Sequence, residues 1–270
     1  MDNRPIGVFD SGLGGLTAVK ELKRILPNEN IIYFGDTGRV PYGTRSNSTI
    51  IEYAYQDANF LLSHDVKIII AACGTVSSVA LGLQKDLPVP FVEVVTHTAE
   101  KAVAVTKNGK IGIIGTQATI NSHSYLNKIL ALNRSISVYE MPCPLFVPLV
   151  ESGWIERDDK VTIETAKRYL TPLVEKGIDT LVLGCTHYPI IRDIIEDVVG
   201  SGVTLINSGE QAARRAAEIL EQKNLLAESI VGDAQYFVSD SPNSFSEIAS
   251  VFLGESTETT AQQIDITKFG

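Results

Sequence analysis

Short, continuous apolar runs alternate along this chain with longer segments whose apolar residues recur every three or four positions. The first kind reads as strands buried on both faces, the second as helices that cover them. Ile6–Phe9 is a strand, and Leu16, Val19, Leu22 and Ile25 then mark a helix that closes at Pro27. Ile31–Phe34 is the second strand, followed by a polar loop, residues 35–47, that contains Pro41-Tyr42-Gly43. Thr49 and Glu52 have capping-box spacing for a helix carrying Ile51, Ala54, Ala58 and Leu61. Val66–Ala72 is a third strand and delivers Cys73 to its C-terminal end. A helix marked by Val76, Val79, Ala80 and Leu83 follows, with Thr75 or Ser77 as its cap, and Phe91–Val95 ends this half.

The pattern then restarts. Lys110–Thr116 echoes the first strand and its polar turn, and a helix through Leu126 and Ile129 leads to the strand Ile136–Glu140. After the proline-rich stretch Pro142–Pro148 comes a helix over Asp158–Lys176, interrupted or kinked near Pro172. Thr180–Leu183 delivers Cys185, Pro189 opens the next helix, Gly200 ends it, and Val203–Ile206 closes the unit. Beyond Ser208, a helix with Ala212, Ala216 and Ile219, a strand near Tyr236–Val238 and a helix over Ser241–Leu253 are too few for a third domain. They are expected to pack back on the first half, and the last dozen residues to be loosely held. Alternation with short turns predicts an α/β protein built as two pseudo-symmetric, doubly wound parallel-sheet domains. The expected division is 1–96 with 208–270, and 97–207, with the functional cleft between them where the strand C-termini face each other.

Composition narrows the chemistry. With 270 residues the chain can bury two cores, and 44% apolar with 20% charged residues is an ordinary globular balance. A net charge of −9 with no local Lys/Arg cluster argues against a nucleic-acid surface. No run approaches the roughly 20 apolar residues of a membrane span, and Met1-Asp2-Asn3-Arg4 enters the first strand without an apolar signal region, so a cytoplasmic address is expected. Three cysteines make no disulfide framework; Cys143, within Met141-Pro142-Cys143-Pro144, reads as a small buried hydrophobe. The glycine-rich turn Asp10-Ser11-Gly12-Leu13-Gly14-Gly15 lacks both G-x-G-x-x-G spacing and a Walker lysine, so it reads as a turn needing positive φ and close helix packing.

The candidate chemistry lies in the two cysteines, each where a strand gives way to a helix, a position that favours a thiolate. A cysteine–histidine hydrolase would use Cys185 and His187 but leaves Cys73 idle. A zinc site or a redox dithiol lacks the C-x-x-C spacing, so no metal is expected. Two thiols on opposite walls of a cleft suit removal of a proton from one face of a carbon and its return to the other. Cysteine, with an unperturbed pKa of about 8.5, can serve in either protonation state. The developing carbanion then needs fixed donors around the substrate carboxylate, because no cofactor motif supplies an electron sink.

The blocks Asp10–Gly15, Pro41–Gly43, Ala72-Cys73, Pro144–Glu151 and Gly184-Cys185-Thr186-His187-Tyr188-Pro189 resemble, in order and spacing, those of the glutamate racemases of the cofactor-independent aspartate/glutamate racemase superfamily. That resemblance implies interconversion of L- and D-glutamate without a cofactor, supplying D-glutamate for peptidoglycan, and often a homodimer. It implies Cys73 and Cys185 as the acid/base pair, assisted by Asp10, Glu151 and His187. Ser11, Tyr42, Gly43, Thr75 and Thr186 would hold the substrate, with Asp10, Gly74, Thr116 and His187 beside them. Turn capping competes for Asp10, a structural hydrogen bond for His187, a solvated helix end for Glu151, and loop packing for Tyr42. Where the family carries asparagine after its first cysteine this chain has Gly74, which predicts that Gly74→Asn raises turnover by restoring a lost donor. The competing functions are a relative acting on aspartate or another small carboxylate, and a non-catalytic two-domain amino-acid binder.

Overall fold

A computed structural model describes residues 1–228, 231–243, 245–254 and 260–270. Among the described residues, ten strands form two sheets. In chain order they are β1 (Ile6–Asp10), β2 (Ile31–Gly35), β3 (Ile68–Ala71), β4 (Phe91–Glu93), β5 (Lys110–Gly115), β6 (Ser137–Pro142), β7 (Thr180–Leu183), β8 (Thr204–Asn207), β9 (Ala234–Val238) and β10 (Ala261–Gln263). The first sheet has the order β10-β9-β2-β1-β3-β4 and the second β6-β5-β7-β8. Every pairing within them is parallel.

Setting β9 and β10 aside, both sheets follow one rule: the second strand, the first, the third, then the fourth. Pseudo-symmetry is therefore visible in the topology. It places Cys73 and Cys185 equivalently, each just past the third strand of its sheet, β3 and β7. The central strands are continuous apolar runs because helices cover both faces: β1, β2, β3 and β7 are buried at every residue. Alternate residues serve different cores, as the two-residue period of a strand requires. Val8, Tyr33, Ile68 and Ile70 join the large core that continues into the second sheet. Phe9, Phe34, Ile69 and Ala71 turn to a smaller core under the helix Asn47–Leu62.

Several local expectations are corrected. The cap of the helix Asn47–Leu62 is Ser46, whose hydroxyl accepts from the Thr49 N–H at 3.3 Å, so the helix starts before Thr49. The helix expected to reach Leu83 breaks after Val79 and resumes over Leu83–Asp86. Neither Thr75 nor Ser77 caps it; Cys73 holds that position, and the Ser77 hydroxyl instead donates to the Ala71 carbonyl. Val94–Val105, with no helix assigned to it from sequence, is helical and is capped by Glu93, which accepts from the Thr96 N–H at 2.9 Å. Its β-branched valines and threonines obscured the helical period. Lys160–Glu175 is a single helix with Pro172 inside its last turn rather than an interrupted one. Pro189 lies in a short 3₁₀ turn, Tyr188–Ile191, and the α-helix begins at Arg192. The helix near the C-terminus is found over Phe245–Leu253.

The expected return of the C-terminal elements is observed, since β9 pairs with β2. The end of the chain is not loose over residues 260–270. β10 pairs with β9, Ile266 is 4% exposed, and the Phe269 ring meets Phe60 edge-on with centroids 5.3 Å apart. These few apolar residues outweigh the polar composition around them. Ile266→Ala should therefore cost about 2–4 kcal/mol of unfolding free energy, measured by urea denaturation; a loss below about 0.5 kcal/mol would show that the tail is not part of the core.

Candidate active site

The strand ends of the two sheets enclose a cavity of about 380 Å³. Both Cys73 and Cys185 line it, together with Ser11, Tyr42, Gly43, Gly74, Thr75, Thr116, Glu151, Thr186 and His187. Eleven of the twelve residues named from sequence thus meet at one place. Asp10 does not line it. Its carboxylate lies beneath the glycine turn, where Oδ2 accepts from the N–H groups of Gly12 (3.1 Å) and Gly15 (3.0 Å). Turn capping is thus observed, while Oδ1 is buried without a hydrogen-bond partner among the described residues. Burial pushes the Asp10 carboxyl pKa up, against the pull of the His187 charge and the turn amides.

Of the two reasons expected for the glycines of that turn, positive φ and close packing, only close packing is found. None of Gly12, Gly14 and Gly15 has positive φ. What they supply is space: a Cβ on Gly14 would stand 2.3 Å from Thr186 Oγ1, and one on Gly15 would stand 2.5 Å from Asp10 Cβ. The Thr17 hydroxyl joins the same contact, 3.0 Å from the Thr186 carbonyl oxygen. The turn after β1 is shaped to receive the loop that carries Cys185.

The two thiols sit in different surroundings. Cys73 is the N-cap of the helix Gly74–Val79 and its Sγ lies 3.4 Å from Ser11 Oγ. Burial, then the Asp10 charge, push its pKa up to about 12, against hydrogen bonds from Ser11 and the Val76 amide. Desolvation thus outweighs the helix-end effect expected to lower it. Cys185 Sγ lies 3.9 Å from His187 Nδ1, and His187 Nε2 is 3.0 Å from Glu151 Oε1. Burial pulls the imidazole down, but its bonds to Cys185 and Glu151 together carry its pKa up to about 10. At neutral pH one wall therefore offers the protonated Cys73 thiol, and the other an imidazolium beside Cys185. The Phe252 ring, on the C-terminal helix, meets His187 edge-on behind the cavity at 5.4 Å.

On the polar floor, Thr75 Oγ1 and Thr116 Oγ1 are 3.1 Å apart across the two units, and Thr116 is held by Thr119 at 3.0 Å. Tyr42 lines the cavity with its hydroxyl turned away, between the carboxylates of Asp36 and Asp57. Pro144, Val147, Pro148 and Cys143 form an apolar wall. Cys143 is buried, as expected of a small hydrophobe, yet it belongs to the cavity. Its place in the proline-rich block between β6 and Glu151 was the only trace of that in sequence.

Gly74 overturns one expectation. A Cβ there would stand 2.3 Å from the Gly184 carbonyl oxygen, a backbone atom of the facing loop. Backbone of one unit occupies the space an asparagine side chain would need, so Gly74→Asn acts as a wedge rather than restoring a donor.

A cavity of this size lined by a thiol from each sheet is of a kind that an amino-acid racemase could use. The sequence matches the Asp/Glu/hydantoin racemase family over residues 14–216. It is 47% identical over 253 residues to a glutamate racemase of Geobacter metallireducens, covering 93% of each chain. Against a glutamate racemase of Neisseria meningitidis it is 46% identical over 270 residues, covering 99% of this chain and 97% of that one. Among solved structures, a glutamate racemase isoform of Bacillus anthracis superposes with a TM-score of 0.93 at 36% identity, covering 98% of both chains. The Francisella tularensis glutamate racemase in complex with D-glutamate gives 0.91 at 40% identity, covering 99% and 100%. The chain belongs to the Asp/Glu/hydantoin racemase family. It is an isomerase, an amino-acid racemase that falls among the glutamate racemases.

Two outcomes follow from the geometry. Gly74→Asn should lower kcat/KM by roughly tenfold to a hundredfold, the scale of a misplacement near one ångström; equal or higher activity would show that the loops part freely. His187 has its pKa raised from 6.5 to about 10 on folding. The stability its proton contributes is complete below pH 6.5 and is lost as pH rises towards 10. Wild-type melting temperature should therefore fall relative to His187→Asn across that window, whereas parallel curves would contradict a cationic His187.

Proposed function

We propose that the chain interconverts L- and D-glutamate by a two-base proton transfer at the α-carbon. The observation that carries this reading is that Cys73 and Cys185, from equivalent strand ends, line one cavity. One thiolate removes the α-proton from its face of the substrate while the opposite thiol delivers a proton to the other face. The roles exchange for the reverse reaction, so a turnover leaves the enzyme in the complementary protonation state. His187 acts on the Cys185 side: its cation holds the sulfur anion when one forms, or passes its Nδ1 proton to it, and Glu151 fixes the ring through Nε2. Cys73 is the thiol that starts protonated.

Charge developing on the substrate carboxylate is met by the hydroxyls of Ser11, Thr75, Thr116 and Thr186 and by backbone N–H groups at the starts of the two helices after the cysteines. Two units close over the substrate, 1–96 with 208–270 and 97–207, so water is excluded as the reacting centre is enclosed. The substrate assignment is supported by the relatives, which are glutamate racemases over nearly their whole length. A likeness to the Picrophilus torridus aspartate racemase is one of fold alone, with a TM-score of 0.59 at 19% identity. Supply of D-glutamate for peptidoglycan, a cytoplasmic address and a homodimeric assembly belong to the same reading. No helix among the described residues is long and apolar enough to cross a membrane.

The test is racemisation followed by optical rotation, with L-glutamate and L-aspartate supplied separately. Wild type should turn over glutamate far faster than aspartate, and Cys73→Ala and Cys185→Ala should each lose at least about a thousandfold in kcat. Full activity in either variant would refute the two-base assignment. Binding of glutamate without loss of rotation would identify a binding protein instead.

A further inference from the structure

The loop between β2 and the helix Asn47–Leu62 faces two ways. On one side Pro41, Tyr42, Gly43 and Thr44 line the cavity. The other side is pinned into a buried polar cluster that no proton-transfer step uses. Asp36 and Asp57 are both fully buried. The Tyr42 hydroxyl sits between them, 3.1 Å from Asp57 Oδ2 and in contact with Asp36. Arg39 closes the cluster: Nε donates to Asp36 Oδ2 at 2.6 Å, Nη2 to Asp57 Oδ1 at 3.1 Å, and Nη1 to Gln56. Its guanidinium also lies over the Tyr53 ring, 3.8 Å from the centroid. Ser239, beyond β9, donates to Asp36 Oδ1 at 2.7 Å and accepts from the Gly38 N–H at 2.8 Å, tying the loop to the returning C-terminal segment.

Two carboxylates buried side by side need a cation that bridges both, and the planar fork of Arg39 reaches Asp36 and Asp57 together. Lysine would supply the charge at a single point. The Tyr42 ring is 1% exposed, so its position is set from the cluster side and not from the cavity. Between Arg39 and Gly43 lie only Val40, Pro41 and Tyr42. A shift of the guanidinium therefore passes to the cavity wall with little chain to absorb it.

We propose that Arg39 is a positioning residue for the reaction: acting through Asp36, Asp57 and Tyr42, it fixes the Pro41–Thr44 backbone as the wall against which the amino acid is seated. The inference rests on the racemase reading of the cavity. Arg39 touches neither thiol, so losing the wall weakens seating of the substrate more than it slows proton transfer. The expected signature is a change in KM with kcat nearly kept.

Steady-state kinetics of Arg39→Lys and Tyr42→Phe test this, with circular dichroism and melting curves run on the same preparations. Both variants should fold and raise KM about tenfold while kcat stays within about threefold. Arg39→Gln should be worse in KM than Arg39→Lys. A merely structural role would lower melting temperature and the yield of active enzyme while leaving KM unchanged. Wild-type KM in folded Arg39→Lys and Tyr42→Phe would overturn the proposal, as would a kcat loss with KM unmoved. Should Arg39→Gln fail to fold, Tyr42→Phe, which removes one hydroxyl and no charge, still decides. The ratios are taken on whichever amino acid the wild type racemises, so an error in the glutamate assignment shows separately, as wild-type inactivity on glutamate.

Discussion

The close approach of two backbone turns, one from each sheet, is the constraint on which the rest of the structure depends. Gly74 meets the Gly184 carbonyl and Gly14 meets Thr186 and His187, each at a distance that leaves no room for a Cβ. These contacts are possible because β3 and β7 occupy the same place in the same strand order and end at facing turns. Glycine at positions 14 and 74 lets the turns touch this closely, and both cysteines line the cavity beside them. Buried apolar strands deliver the turns, and the turns deliver the thiols.

Within that enclosure the walls are chemically unequal although the topology is nearly symmetric. Cys73 keeps its proton because it is buried and lies near the Asp10 charge, against the pull of its hydrogen bond with Ser11. Cys185 has a histidine two residues away whose Nε2 is held by Glu151. In the proposed mechanism, a reversible proton transfer needs one donor and one acceptor at the start, and unequal walls suit that need. Burial does two jobs: it pushes the Cys73 pKa up, and it strengthens each charge-assisted bond on the Cys185 side.

Much of this was legible in the sequence, for identifiable reasons. Short, β-branched apolar runs such as Ile68-Ile69-Ile70, flanked by turn residues, read as strands covered on both faces. The sheets and the positions of both cysteines therefore followed from run length and flanking residues. The polar residues at the strand ends followed from the rule that open α/β sheets bind at their C-terminal edges. What escaped depends on contacts distant in sequence. Gly74 read as a missing amide because the carbonyl that fills its place is more than a hundred residues away. The resemblance gave Tyr42 a substrate role, and it does line the cavity. The carboxylates that hold its hydroxyl, however, lie on other elements and were not visible in the sequence. The helix Val94–Val105 was hidden by β-branched residues, and the docked tail by its polar composition.

The most direct test is a single-turnover measurement in deuterated water. L-Glutamate is mixed with excess enzyme, quenched at successive times, separated into enantiomers, and read for α-deuterium by mass spectrometry. Two thiols on opposite faces require the newly formed D-glutamate to carry deuterium from its first appearance while recovered L-glutamate stays protiated. Deuterium entering both enantiomers at equal rates from the start would mean that one group serves both faces, and the facing cysteines would not be the machinery of the reaction.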